Sequence, residues 1–202
     1  MKKLHRRDLF SWSVFSERLD IDFNAYCWTR PDGNVLIDPL PMSTHDREHL
    51  DRLGGAAWIV LTNSAHVRGA PELAAALGAK VAGPVGEKQT FPIPVDRWLA
   101  GGDDLGPGAT VHALEGSKTP GELLILLGDT LVSGDLIRCH RAGALMLLLP
   151  EQGLKDRGAA LASIARLPLA SIDAVLVGDG FCVYRDGRRY LEQLIEPAAT
   201  AA

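Results

Sequence analysis

The sequence predicts an α/β protein in which two mixed sheets pack together with helices on the outside. Three observations predict it. Short apolar runs of strand length recur between clusters of Gly, Pro, Asn and Asp. Helical segments accompany those runs in both halves of the chain. No low-complexity linker divides the 202 residues, so the expectation is one domain over residues 1–202, with about 197–202 as a frayed tail.

Taken in order, residues 24–29 are the first expected strand, Arg30, Pro31, Asp32 and Gly33 a turn, and residues 34–37 the second strand of a hairpin. Asp38, Pro39, Leu40 and Pro41 end it. Ser43 caps the next helix, with Asp46 three positions on, and Gly54 and Gly55 stop that helix after about Leu53. Residues 57–61 form a continuous apolar run, the pattern of a buried strand. The polar stretch 62–69, a helix over 71–77 ended by Gly78, and a strand over 79–82 complete an α/β unit. Functional groups are expected at the C-terminal end of its first strand. In the second half, residues 110–114, 122–127 and 130–133 are three successive strands, the last two joined through Gly128 and Asp129. A further strand over 145–149, an amphipathic helix over 155–167, a buried strand over 174–177 and a closing helix over 186–195, capped by Asp186, follow.

Composition narrows the function classes. Apolar residues make up 47% and charged residues 23%, the balance of a soluble globular protein. A net charge of −4 gives no global reason to expect nucleic acid or an anionic membrane surface as partner, though a local basic pocket stays open. Cys27, Cys139 and Cys182 form no CxxC pair, so neither a disulfide scaffold nor a structural zinc site is expected. They are expected to be buried or partly buried thiols in a reducing compartment. The basic start of the chain is that of a signal peptide. Serines interrupt the apolar stretch that follows, then Glu17 and Arg18, and the longest apolar run, 142–149, is too short to cross a bilayer. A cytoplasmic protein is expected.

Five fragments carry a family resemblance. They are Asn24-Ala25-Tyr26 with Gly33 and Leu36-Ile37-Asp38; Thr62-Asn63-Ser64-Ala65-His66-Val67-Arg68; Ser117-Lys118-Thr119-Pro120-Gly121; Ser133-Gly134-Asp135; and Gly178-Asp179-Gly180. Their order and their places at strand ends resemble the metallo-β-lactamase superfamily over nearly the whole chain. The matching family patterns are N-x-Y with G-x-x-x-L-I-D, T-H-x-H-x-D-H, G-H-T-P-G, G-D and G-H-G. The resemblance implies a four-layer αββα sandwich of hydrolase ancestry. For a typical member it also implies metal ions bound by histidines and aspartates, acting on ester, thioester or lactam substrates.

The departures bear on function. At the positions that resemble the family's ligands, this chain has Asn63, Ala65, Val67, Arg68, Lys118, Asp135 and Asp179, and only Asp135 keeps its identity. Ala65 and Val67 offer no donor atom, whereas zinc needs several nitrogen, sulfur or carboxylate ligands. Arg68 and Lys118 place fixed positive charge where a cation would sit; two unit charges about 4 Å apart repel by roughly 4 kcal/mol at an effective dielectric of about 20. The expectation is therefore no metal cofactor, with zinc through an altered set (Asn63, His66, Asp135, Asp179) as the alternative.

A buried Asp135 still needs a positive partner. The expected replacement is an ion-pair cluster of Arg68, Lys118, Asp135 and Asp179, with Asn63 and Ser117 donating hydrogen bonds. Such a cluster ties loops together, or binds a small anionic or polar ligand through Arg68, Lys118, Asn63 and Ser117. The enzymatic alternative keeps hydrolysis, metal-independent or with a non-standard metal. His66, Arg68, Lys118, Asp135 and Asp179 are then the candidate catalytic residues: His66 or a carboxylate moves protons, and the two cations hold a developing oxyanion. Outside that role, His66 is expected to face solvent or cap the next helix.

Other residues carry less. His45 and His49 are four apart on a helix but lack the glutamate of H-E-x-x-H, and a solvated face is expected. Ser117 lies in no nucleophile elbow. Cys139 and His140 are adjacent, which on a strand turns them to opposite faces. Trp12, Trp28, Trp58 and Trp98 suit a core or an interface between copies, so a homo-oligomer remains open.

Overall fold

Residues 9–16, weighed above only as a leader, are a strand. In the computed structural model, which describes residues 1–196, β1 (Lys2–Lys3) pairs with β2 (Leu9–Ser16), and β2 pairs residue for residue with β3 (Ile21–Trp28), from Leu9 opposite Trp28 to Ser16 opposite Ile21. Serine at every second or third position, read as breaking an apolar leader, is compatible with strand alternation. The expected tail at 197–202 lies outside the described residues.

The chain divides into two compact units, Met1–Leu99 and the part from Ala100 onward. In the first, β3 pairs antiparallel with β4 (Val35–Ile37). β4 is followed in parallel register by β5 (Trp58–Val60), β6 (Lys80–Pro84) and β7 (Arg97–Leu99), which gives a seven-stranded sheet among the described residues. Helices α1 (Thr44–Arg52) and α2 (Ala70–Leu77) make the connections. The expected cap is present: Ser43 Oγ accepts the Asp46 amide at 3.1 Å. Leu50 of α1 and Ala70 and Leu73 of α2 bury against Phe10, Cys27, Leu36, Ile59 and Val81 of the sheet. Asn34 locks the hairpin to the end of α1. Its amide donates to Leu53 O and Gly55 O, both at 2.8 Å, and its Oδ1 accepts the Arg30 amide at 3.0 Å.

In the second unit, β8 (Asp104–Gly106), β9 (Ala109–Ala113), β10 (Leu123–Leu127) and β11 (Thr130–Ser133) form an antiparallel series. β14 (Ala174–Val177) joins β11 in parallel. Strands β11 and β14 have the boundaries expected from sequence. A separate ribbon pairs β12 (Ile137–Arg141), which the sequence analysis did not predict, with β13 (Ala144–Leu147). Helices α3 (Arg157–Ala165) and α4 (Gly187–Ile195) put Ala160, Ile164 and Leu191 into a core with Leu124, Leu126, Leu131, Val175 and Val177. Asp186 precedes α4 in left-handed backbone but makes no side-chain cap; its amide instead donates to Asp173 Oδ1 at 3.0 Å. Among the described residues no helix is long and apolar enough to cross a membrane.

Candidate functional site

The predicted site residues fall into two networks, one in each unit. In the first unit, β4 and β5 are parallel neighbours, so their C-terminal ends lie side by side. That sets Asp38 against Thr62. Asp38 takes a left-handed φ of 47°, a conformation a short polar side chain tolerates better than most. Its Oδ1 accepts the Thr62 amide at 2.8 Å and its Oδ2 accepts the Thr62 hydroxyl at 2.6 Å. His66 Nδ1 also lies 2.7 Å from Oδ2.

Beyond His66 comes Arg68. Its NH2 stands 2.9 Å from His66 Nε2, and its guanidinium sits over the Phe23 ring at 5.2 Å. Arginine only donates, so Nε2 is the acceptor and the ring proton is on Nδ1, donated to Asp38. Both nitrogens of His66 are thus engaged. The ring is 1% exposed, which corrects the expectation that it faces solvent or caps a helix. Asn63 does not serve the ion pairs as expected: its Oδ1 accepts the Ala65 amide at 2.9 Å, capping the short turn Ser64–His66. Glu87, also buried, accepts the Ser64 amide at 3.0 Å. The sequence analysis passed over Asp38 as a turn residue, although the L-I-D match carried it.

In the second unit, Lys118, Asp135 and Asp179 come together as expected, but the cation between the two carboxylates is Arg138. Arg138 NH2 lies 3.1 Å from Asp135 Oδ1 and 2.8 Å from Asp179 Oδ2. Its Nε donates to Asp135 O at 3.1 Å, and its NH1 to Gln152 Oε1 at 2.9 Å. Lys118 Nζ makes an ion pair with Asp135 Oδ2 at 2.6 Å. Arg138, Asp135 and Asp179 are at most 5% exposed, whereas the Lys118 side chain is 29% exposed. Two buried acids with two cations leave the cluster balanced. Arg68 is held in the first unit by His66 and Phe23, so the role expected for it beside Lys118 is filled by Arg138. Ser117 likewise has another partner, donating its hydroxyl to the buried Glu122, whose Oε1 accepts the Leu136 amide at 2.8 Å.

The strand pairing explains the cluster. β11 and β14 are parallel, so Asp135 and Asp179 follow strand ends that lie together, and the Gly178 amide donates to Ser133 O at 2.9 Å. Cys139 and Gly180 bridge in parallel, which draws β12 and Arg138 onto the Asp179 loop. At Gly180 a Cβ would stand 2.1 Å from Cys139 O, so glycine is required for that approach.

A metal centre fits this donor set poorly. Among the described residues no three His, Cys, Asp or Glu side chains gather as a metal-holding group. The two carboxylates at the family's positions already face Arg138 and Lys118. Of the expected thiols, Cys27 and Cys139 are buried and Cys182 is half-buried; burial pushes the Cys27 thiol up to about 12. His49 is not simply solvated: its Nδ1 lies 3.1 Å from Met1 O and its ring packs edge-on against Phe10.

Two further histidines shape acid stability. Burial holds His112 below its ordinary 6.5. Burial, and then the Arg138 charge, hold His140 below the same value, with Asp179 opposing. The Nε2 of each is buried without a hydrogen-bond partner among the described residues. A folded pKa below the unfolded one means that the unfolded chain binds protons first as pH falls. This contribution to stability is therefore intact above about pH 6.5 and is lost as pH drops below it. Urea unfolding at about pH 7.5 and about pH 5.5 should show a smaller acid loss for the His112→Gln, His140→Gln double variant than for the parent.

Comparison with known proteins places this geometry. No curated protein matches the chain in sequence. Among solved structures, a metallo-beta-lactamase from Pontibacter korlensis matches with a TM-score of 0.73 at 15% identity, over 97% of this chain and 98% of that one. ETHE1 from Myxococcus xanthus matches with a TM-score of 0.71 at 17% identity, over 94% and 86%. TTHA1623 in a di-iron-bound form matches with a TM-score of 0.67 at 25% identity, over 92% and 98%. The predicted fold class is therefore that of its structural neighbours. The family profile described as metallo-beta-lactamase superfamily matches residues 1–198, and the chain belongs to that superfamily.

Proposed function

We propose that this protein is a metal-free, non-catalytic member of its superfamily, in which side-chain ion pairs tie together the strand-end loops that its relatives use for metal. The observation that carries this reading is Arg138, buried between Asp135 and Asp179 and within 3.1 Å of both. A guanidinium bridging two carboxylates occupies the acceptor oxygens that a cation would need. The engagement of both His66 nitrogens supports the non-catalytic part, because a general base must present a lone pair to its substrate. The expected buried thiols suit a reducing, cytoplasmic setting.

Elemental analysis of protein purified without added metal tests the reading. Substoichiometric zinc and iron are expected, and neither added zinc nor a chelator should shift the melting temperature. Near-stoichiometric metal whose removal lowers that temperature overturns it and makes the protein a metallohydrolase candidate. A small-anion-binding version draws on Lys118, the cation of the cluster that reaches solvent. An anion there must compete with Asp135, so stabilisation by phosphate or acetate, lost in Lys118→Ala, is the result that would favour it.

A further inference from the structure

Away from the charge cluster, the second unit carries an open cleft of about 550 Å³, within the range of about 300–1,000 Å³ typical of small-molecule sites. Its apolar wall includes Leu145 and Met146 of β13, Leu154, and Leu194 of α4. Leu145, Leu154 and Leu194 are the outer skin of the second unit's core, packed on it while still half-exposed.

Two charged residues lie on the rim, Arg157 and Glu196. Arg157 is the first residue of α3, the helix end where the macrodipole disfavours a cation. Its neighbour Asp156 spends its Oδ1 on the Ala159 amide at 2.9 Å. Among the described residues the exposed Arg157 has neither an ion pair nor a side-chain hydrogen bond. An apolar trough ending at an uncompensated guanidinium is complementary to a molecule with a hydrocarbon body and an anionic head.

We propose that this cleft binds a medium-chain amphiphilic carboxylate, with the alkyl chain along Met146 and Leu194 and the carboxylate on Arg157. Glu196 at the end of α4 works against an anion and tempers the affinity. The site is independent of the non-catalytic reading, although the two are close in structure: Met146 stands opposite Arg138 in the β12–β13 pairing.

Decanoate, kept below its micelle concentration, is the probe. The intact protein carries three methionines, Met1, Met42 and Met146, so isotope labelling of their methyl groups gives a site-resolved titration. Decanoate is expected to move the Met146 signal saturably and to leave Met1 and Met42 in place. Arg157→Gln, an exposed change that leaves the core untouched, should weaken binding about tenfold, the loss of one charge-assisted hydrogen-bonded pair. Glu196→Gln should tighten it. Three results overturn the proposal: no response at Met146, equal binding by Arg157→Gln, or equal binding of decyltrimethylammonium, which would mark a merely apolar surface.

Discussion

Arg138→Ala is expected to destabilise the protein by about 3–5 kcal/mol, the cost of breaking a buried ion pair from one side. The guanidinium contacts Asp135, Asp179 and Gln152, so its loss leaves two buried acids to share Lys118. Lys118→Ala should cost less, because that side chain is 29% exposed and solvent screens its charge. A triple variant, Arg138→Ala with Asp135→Asn and Asp179→Asn, should recover much of the loss, since neutral amides need no cation. Urea unfolding followed by circular dichroism measures all three. Failure of the triple variant to recover stability would show that Arg138 acts through packing rather than charge. All four tryptophans lie in the first unit, so fluorescence reports on that unit alone. Coincident fluorescence and dichroism transitions are the result expected of one cooperative domain.

The second large effect is expected at Asp38. Asp38→Ala removes the acceptor for the Thr62 amide, the Thr62 hydroxyl and His66 Nδ1. Buried donors left unsatisfied cost about 1–3 kcal/mol each, and alanine is also a poorer resident than aspartate at a φ of 47°. A loss of about 3–5 kcal/mol in urea unfolding is the expected sum after partial relaxation. Asn tolerates the same left-handed backbone and keeps one acceptor oxygen, so Asp38→Asn should cost clearly less. Equal losses in the two variants would mean that carboxylate charge, not hydrogen-bond count, holds the strand ends together.

Much of the fold was legible because apolar runs and turn residues are local signals. Strands over 130–133 and 174–177, the Ser43 cap and the helix stop at Gly54 all depend on neighbours in sequence. The misses share one cause. β2 carries serines and β12 carries two arginines and a histidine, so neither has the apolar pattern of an isolated strand, and each is a strand because a partner pairs with it. Asp186 was read as a helix cap from its position, yet its backbone turned left-handed and spent its amide on Asp173.

The sequence by itself determined what the site contains. Ala65 and Val67 bring no donor atoms, and Asp135 and Asp179 sit just past strand ends, as their motifs require. Only the tertiary structure decided which charges meet. The β11–β14 pairing sets the two acids together, and the Cys139–Gly180 bridge delivers Arg138 to them. The parallel β4–β5 pairing sets Asp38 under His66 and turns a nominal surface histidine into a buried link to Arg68. Ion pairing falls off within a few ångströms, so its partners are chosen by the strands that come to lie side by side, and sequence separation carries little of that information.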